Sequence, residues 1–438
     1  MAAHTPSPGM RRMQRTALVM LVVSGTVNYL DRSALAIGNP EIRKELGLNA
    51  TQMGVLLSAF LVSYAFAQLP VGLLVDRVGP RKLLGLGLTV WSLAQTLAGF
   101  VGSLSQLWWA RLFLGVGEAP QFPSAARVVS DWFNVKDRGF PTGVFNSAAS
   151  IGPALAPPIL TALMLTFGWR IMFITMGVLG LITAAVWFAV YRDPEGRATA
   201  EDRAYIRAGD TAQTAAVTLP QWARLFRLRT TWGMVCGNFC VGYLAWIYFA
   251  WLPGYLEIQH HLSIAKTGLY AAIPPLLGIF GSLLGGYVSD RLAASGVTPL
   301  NSRKIPIIGG ILGTATCTIL AAYSDGLTAA MIFISAAVFF STITSGTVWA
   351  IVTAAAPPNY VASVGSIQNF GGYLGGTCSP IVTGFIVDRT GSFVMALVLG
   401  AGISLAGALI YLFVVTRPIS GAELESASAS VVAGPPAE

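Results

Sequence analysis

The chain has 438 residues, of which 54% are hydrophobic and only 11% charged, and it carries a formal net charge of +8. Soluble domains hold about 25% charged residues, so this composition excludes a soluble fold and predicts a protein embedded in a membrane. The positive balance is not the footprint of a nucleic-acid binder, because the basic residues gather in short loops between apolar runs.

A membrane span needs about 20 mainly apolar residues. The sequence predicts twelve, at residues 16–38, 51–75, 82–103, 105–126, 139–165, 170–191, 230–256, 265–289, 304–323, 327–355, 362–387 and 392–415. With no water to satisfy backbone groups, these must be helices. The expected fold class is an all-α integral membrane protein with twelve transmembrane helices in two six-helix halves, residues 16–191 and 230–416. Residues 1–15 form a tail. The first run is too long for a signal-peptide core and is expected to be retained. Residues 192–229 are the longest polar stretch and form a linker, with a surface helix expected around 218–228. Residues 417–438 are small and polar and are expected to be disordered.

The loop charges orient the chain. Arg11, Arg12 and Arg15 precede span 1. Arg77, Arg81 and Lys82 follow span 2, Lys136 and Arg138 follow span 4, and Arg291, Arg303 and Lys304 follow span 8. In the opposite loops Arg43 and Lys44 are balanced by Glu41 and Glu45. The positive-inside rule then places both termini in the cytoplasm. Cys236, Cys240, Cys317 and Cys378 all fall in spans, and no histidine or second pair completes a metal site beside them. His260 and His261 read as a loop feature. No metal and no cofactor is expected.

Within the spans, deep charges occur in two places. Span 1 contains "NYLDR" with Asp31 and Arg32, and span 4 contains Arg111 and Glu118. An unpaired charge at the bilayer centre costs about 2.5–3.5 kcal/mol on insertion scales. Two acids and two bases balance, so they are expected to pair inside the bundle. Arg111 and Glu118 are two turns apart on one face. Arg111 should meet Asp31 at similar depth, with Glu118 about 10 Å further in. Structural ion pairs between two helices are one reading. The other is functional, because buried pairs are poor stabilisers and intramembrane charges mark substrate and proton pathways. Protonating Asp31 or Glu118 leaves an arginine uncompensated, and its planar fork suits a carboxylate. No histidine lies deep in a span, so a proton route has to use the carboxylates. By this argument Arg32 is the guanidinium not needed to hold the acids.

The halves repeat. "GLLVDRVGPRK" (72–82) is echoed by "GYVSDRL…SRK" (286–304), and "FNSAASIGPALAPP" (145–158) by "QNFGGYLGGTCSP" (368–380). Parallel repeats of this kind place a substrate near the midplane between them. "GLLVDRVGPRK" resembles the loop 2–3 signature of the major facilitator superfamily. Asp76 at a helix end, with Arg77 and Arg81, can hold a gate closed across the seam between halves, as can the recurring pair Asp290 and Arg291. Anchoring of the loop at lipid headgroups is the alternative. "NYLDR", "RLFLGVGEAPQFPSA" (111–125), "DWF", "FNSAASIGPALAPP" and "WLPGYL" (251–256) together resemble the anion:cation symporter family over about residues 15–415.

That resemblance implies a proton-coupled symporter importing a small organic anion by alternating access, with a sugar acid as the leading substrate. It implies a monomer in a bacterial inner membrane whose partners are the anion, protons and the bilayer. By position, Asp31 and Glu118 would carry protons and Arg111 would couple them. Arg32 would contact the substrate carboxylate beside Tyr29 and Tyr64, and Trp349, Gln368 and Asn369 would contact sugar hydroxyls. Ala149 and Gly346 depart from the galactonate carrier's pattern. Aromatic or dicarboxylic acids stay open, because Trp246, Tyr248, Trp251 and Trp349 can stack on a ring. An organic phosphate:phosphate antiporter would not need the two acids. A membrane enzyme would need a nucleophile–base or metal cluster, and a receptor would need a signalling domain; the sequence offers neither.

Overall fold

The computed structural model describes residues 7–134, 137–194, 199–207, 219–357, 360–421 and 424. Its described secondary structure is helical throughout. In chain order the helices are α1 (Pro8–Leu46), α2 (Ala50–Val78), α3 (Pro80–Ala98), α4 (Leu104–Glu118), α5 (Gln121–Trp132), α6 (Gly139–Asn146), α7 (Ala148–Val190), α8 (Ala200–Arg207), α9 (Leu219–Arg224), α10 (Arg229–His260), α11 (Ile264–Ala271), α12 (Ile273–Ala294), α13 (Pro299–Ala322), α14 (Leu327–Ala355), α15 (Val361–Thr390) and α16 (Val394–Phe413). Among the described residues, eight helical segments are long and apolar enough to cross a membrane.

Local chemistry sets the boundaries. Ser7 caps α1 by accepting from Met10 N–H, with Pro8 in the first turn where its missing donor is harmless. The helix ends at Gly47, which takes the left-handed φ of 63°. Asn49 and Gln52 form a reciprocal capping box at the start of α2. Predicted span 4 is broken into α4 and α5 by Pro120 and Pro123. Neither proline can donate to the preceding turn, so the carbonyl of Ala119 has no partner within its own helix. Gln68 of α2 donates to that carbonyl instead, at 3.2 Å. Predicted span 5 comprises α6 and the first part of α7, and predicted span 6 the rest of α7; the helical path of α7 is broken between them at Gly168, with φ 81° and ψ 164°. Predicted span 8 is divided at Ala272 into α11 and α12.

Two compact units emerge. Unit 1 comprises Met1–Gln213, Ile247–Leu276 and Thr377–Phe393, and unit 2 comprises Thr214–Trp246, Leu277–Gly376 and Val394–Glu438. In unit 1, α1 packs along α7 and α3 along α4 and α7. In unit 2, α13 packs between α14 and α16. The repeat is visible at two glycines. A Cβ at Gly152 would overlap Tyr29 of α1, and one at the matching Gly375 would overlap the backbone of Phe239 in α10. Both sites let two helices approach more closely than any side chain allows.

The linker and tail differ from expectation. The linker has two helices. Asp202 of α8 accepts from the N–H and hydroxyl of Ser7 at 3.1 Å each, which docks α8 on the start of α1. α9, near the expected surface helix, belongs to unit 2. There Arg224 donates to the carbonyl of Leu424 at 2.7 Å, and Ile419 N–H donates to that of Ala355 at 2.7 Å. Ile419 and Leu424 are buried in the apolar cluster that includes Leu225 and Tyr360, so these two tail residues pack on unit 2. Residues 425–438 lie outside the described residues.

Candidate functional site

Four ionisable side chains meet inside unit 1. Asp31 and Glu118 are 0% exposed, Arg111 2% and Arg32 3%. Asp31 and Arg32 are consecutive on α1, so their side chains leave the helix about 100° apart. Arg32 Nε donates to Glu118 Oε2 at 2.7 Å. Its guanidinium carbon lies 5.0 Å from the ring centres of Tyr29 and Phe60 and 4.7 Å from that of Tyr64. Three aromatic rings thus hold the cation. Arg111 extends over Phe60 at 5.5 Å and reaches the backbone carbonyl of Asp31 at 3.5 Å. Both carboxylate oxygens of Asp31 and Nε of Arg111 are buried without hydrogen-bond partners.

Arg111 comes to Asp31 as expected in depth, but at its backbone carbonyl and not its carboxylate. The expected separation of Arg32 from the acids is not found: Arg32 is the partner of Glu118. Helical side chains lean toward the start of their helix, and the long Arg32 chain covers the distance that sequence depth assigns to Glu118. Arg32 therefore carries both roles that the sequence reading divided, holding an acid and presenting a cation beside Tyr29 and Tyr64.

The second-half residues lie in unit 2. Gln368 is buried, and its amide nitrogen donates to the carbonyl of Val348 at 2.9 Å. Its own backbone carbonyl accepts from Asn238 at 2.9 Å. The Gln368 amide nitrogen is thus engaged within unit 2, and its Oε1 is buried without a hydrogen-bond partner. Asn369, the next residue, is half-buried, and Trp349 is 57% exposed rather than enclosed.

The expected gate residues also find partners close by. Arg81 donates to the carbonyls of Tyr191 and Phe188 at 2.9 Å each, which ties α3 to the end of α7. Arg77 is exposed and lines a cavity of about 630 Å³ with Lys82, Arg127, Asp131, Asp193 and Arg203. Asp290 pairs with Arg303 at 2.8 Å, and Arg291 donates to the Tyr287 hydroxyl at 3.0 Å. These contacts replace the expected pairing across a seam. The Asp76 side chain lies outside the described residues.

A tie that the sequence reading missed sits at the start of α2. Asp388, near the end of α15, accepts from the N–H groups of Ala50 and Thr51 at 2.8 and 2.6 Å and from the Thr51 hydroxyl. Ser58 donates to the carbonyl of Thr377 at 2.7 Å a few turns further on. The signal was available: Val-Asp-Arg-x-Gly at 75–79 recurs at 387–391. Among the described residues, no group of three or more His, Cys, Asp or Glu side chains is placed to hold a metal ion.

Comparison with known proteins supplies the context. Residues 21–380 match the family model described as Major Facilitator Superfamily. The chain is 45% identical over 416 residues to the "Probable L-galactonate transporter" of Escherichia coli K12, spanning 94% of this chain and 92% of that one. It is 34% identical to a "Probable galactarate/D-glucarate transporter" of the same organism, over 91% of this chain and 94% of the relative. It is 33% identical to a "Probable sulfoacetate transporter" of Cupriavidus necator, over 89% and 90%. The crystal structure of a bacterial homologue of the human lysosomal transporter Spinster matches with TM-score 0.72 at 19% identity, covering 97% of this chain and 99% of that one.

Proposed function

The chain belongs to the Major Facilitator Superfamily, and we propose that it is a proton-coupled symporter importing a small organic anion, a sugar acid first among them. It is a multi-pass membrane transporter. In this reading twelve spans in two six-helix halves cross a bacterial inner membrane, with both termini cytoplasmic and the protein working as a monomer by alternating access. Asp76, Arg77, Arg81, Asp290 and Arg291 keep their assignment to the gate.

The observation that carries the reading is the Arg32–Glu118 pair, buried in a cage of three aromatic rings. A buried ion pair is a costly way to join two helices. It becomes useful if its acid takes up a proton. Protonating Glu118 removes the partner of Arg32, and the planar fork can then take a substrate carboxylate bidentately. Each event favours the other, and the coupling is reciprocal. Asp31 beside Arg111 is a second carboxylate able to take a proton, so two protons per anion is the expected ratio. Tyr29 and Tyr64 flank the anion, and Asn369, Trp349 and Oε1 of Gln368 meet the hydroxyls of the sugar chain. Relatives named for L-galactonate and galactarate/D-glucarate support a sugar acid.

The test is uptake by purified protein in liposomes. Counterflow with a panel of sugar acids, sulfonated carboxylates and aromatic acids names the substrate. Acid outside should then drive accumulation against a substrate gradient. Accumulation that ignores the pH gradient would overturn the proton-coupled reading.

A further inference from the structure

Beyond the ion pair, toward the start of α1 and the end of α5, the interface between these helices carries a second set of buried polar groups. Asn28 and Ser24 lie one and two turns before Arg32 on α1. Gln121 and Ser124 lie one and two turns after Glu118 on α5. All four are 0–1% exposed. Asn28 engages the Glu118 carboxylate. Gln121 Nε2 donates to Ser24 Oγ at 2.9 Å, and Ser24 in turn donates to the carbonyl of Leu21 at 3.2 Å. What is left unmatched is Oδ1 of Asn28, Oε1 of Gln121 and Oγ of Ser124, each buried with no hydrogen-bond partner.

An unsatisfied buried polar atom costs about 1–3 kcal/mol. Three so close together are more than packing alone would retain, and polar sites of this kind hold ordered water. The spacing agrees. Residues three or four apart on a helix stand about 4.5–6 Å apart along its axis, and one water spans about 5.6 Å with two hydrogen bonds of about 2.8 Å each. Past Ser124 the character changes: Ala17, Leu21, Val128 and Val129 are buried and apolar.

We propose that Asn28, Ser24, Gln121 and Ser124 line a water-bearing proton passage that leads from Glu118 through the interior of the first half. Its far end is closed in this conformation by the apolar collar of Ala17, Leu21 and Val128. The passage rests on the proton-coupled reading above and adds a route to it. Glu118 gives its proton to the first water, each water passes one on, and one proton leaves at the far end while Glu118 regains its ion pair with Arg32. Nothing is oxidised or reduced. Amides and hydroxyls suit the task because they orient water without trapping charge. The proton then departs without sharing the path of the anion.

Gln121→Leu and Ser124→Ala keep the volume close and remove the polar atoms. In liposomes these variants should lose most of their proton-driven accumulation while substrate exchange continues. Gln121→Asn and Ser124→Thr should restore accumulation. A wild-type protein that accumulates nothing under a pH gradient sinks the underlying symport reading. A wild-type protein that accumulates, with apolar variants that do so at the same rate, overturns the passage alone. Uptake that follows a sodium gradient at fixed pH would assign these oxygens to a cation and also overturns it. Should the apolar variants fail in exchange as well, a Ser124→Cys protein with its four native cysteines changed to alanine decides. Modification of Cys at this position by a small water-soluble thiol reagent supports the passage, and resistance from both sides of the membrane overturns it.

Discussion

The interiors of the two halves are built from matching segments and opposite chemistry. Between α1 and α4 the buried polar groups are two acids and two arginines, with Arg32 and Glu118 in contact at 2.7 Å. Between α10 and α15 they are amides, Asn238 on the carbonyl of Gln368 and Gln368 on that of Val348, each at 2.9 Å. A backbone carbonyl does not titrate, so the amide links are fixed over the whole working pH range. An ion pair can be opened by one proton. The comparison teaches that the buried pair between α1 and α4 can be opened by a proton and the buried amide links cannot. The ion pair described in unit 2, Arg303–Asp290, is a surface contact with Asp290 77% exposed, where such pairs contribute about 0–1 kcal/mol.

The harshest test of that contrast is Arg32→Leu. It strands Glu118 without its cation, and removing one partner of a buried pair costs about 3–5 kcal/mol. Thermal unfolding in detergent should fall well below wild type, and calorimetry should show no anion binding. Arg32→Leu with Glu118→Leu should recover the unfolding temperature without recovering binding. A single variant as stable as wild type would remove the pair from the structural account.

Glu118→Gln comes next. The amide oxygen can still accept from Arg32, but the group no longer titrates. Proton-driven accumulation should vanish while exchange across liposomes persists. Accumulation at the normal rate would leave Asp31 as the sole carrier of the proton.

Gln368→Leu probes the other half. It removes one of two donors to the Val348 carbonyl, which α14 still satisfies through its own ladder, at about 0.5–1.5 kcal/mol, so the unfolding temperature should drop modestly. The pH profile of uptake should keep its shape. A profile displaced as far as in Glu118→Gln would erase the distinction between the halves.

The smallest effect lies at the linker. Burial acts to raise the pKa of Asp202, and hydrogen bonds from Ser7 and Thr199 outweigh it and hold the carboxyl below its usual range. A depressed folded value means that the contribution is present above the unfolded value of about 3.9 and is lost as pH falls through the folded one. The protection factors of residues 200–207, measured by hydrogen exchange and corrected for the intrinsic rate at each pH, should therefore be higher near neutral pH and fall in strong acid. Asp202→Asn should lower them at every pH, by a local destabilisation of about 0.5–1.5 kcal/mol.

Much of the site was legible because charge in an apolar run is conspicuous. Asp31, Arg32, Arg111 and Glu118 announce themselves, and Pro120 with Pro123 marks the break between α4 and α5. What could not be read was who pairs with whom. That depends on the angle between consecutive side chains and on how far an arginine reaches. The partners of Arg81 and Gln368 were hidden for another reason: their acceptors are backbone carbonyls at Tyr191, Phe188 and Val348, which leave no trace in side-chain identity. In the tail, Ile419 and Leu424 stand alone among small and polar residues, and their burial follows from the apolar surface around Leu225 rather than from any local pattern.

The bond between Asp388 and the start of α2 also bears on how the chain is made. Within the first turn of α2, Asn49 satisfies the N–H of Gln52 locally, but those of Ala50 and Thr51 wait for a residue 338 and 337 positions later. At about 5–20 residues per second of synthesis, the helix stands with two bare donors for roughly a quarter of a minute to a minute. A chain stalled or cut before residue 388 keeps that end of α2 frayed. A nascent protein of this design therefore carries its own mark of incompleteness, which is erased once residue 388 has been made.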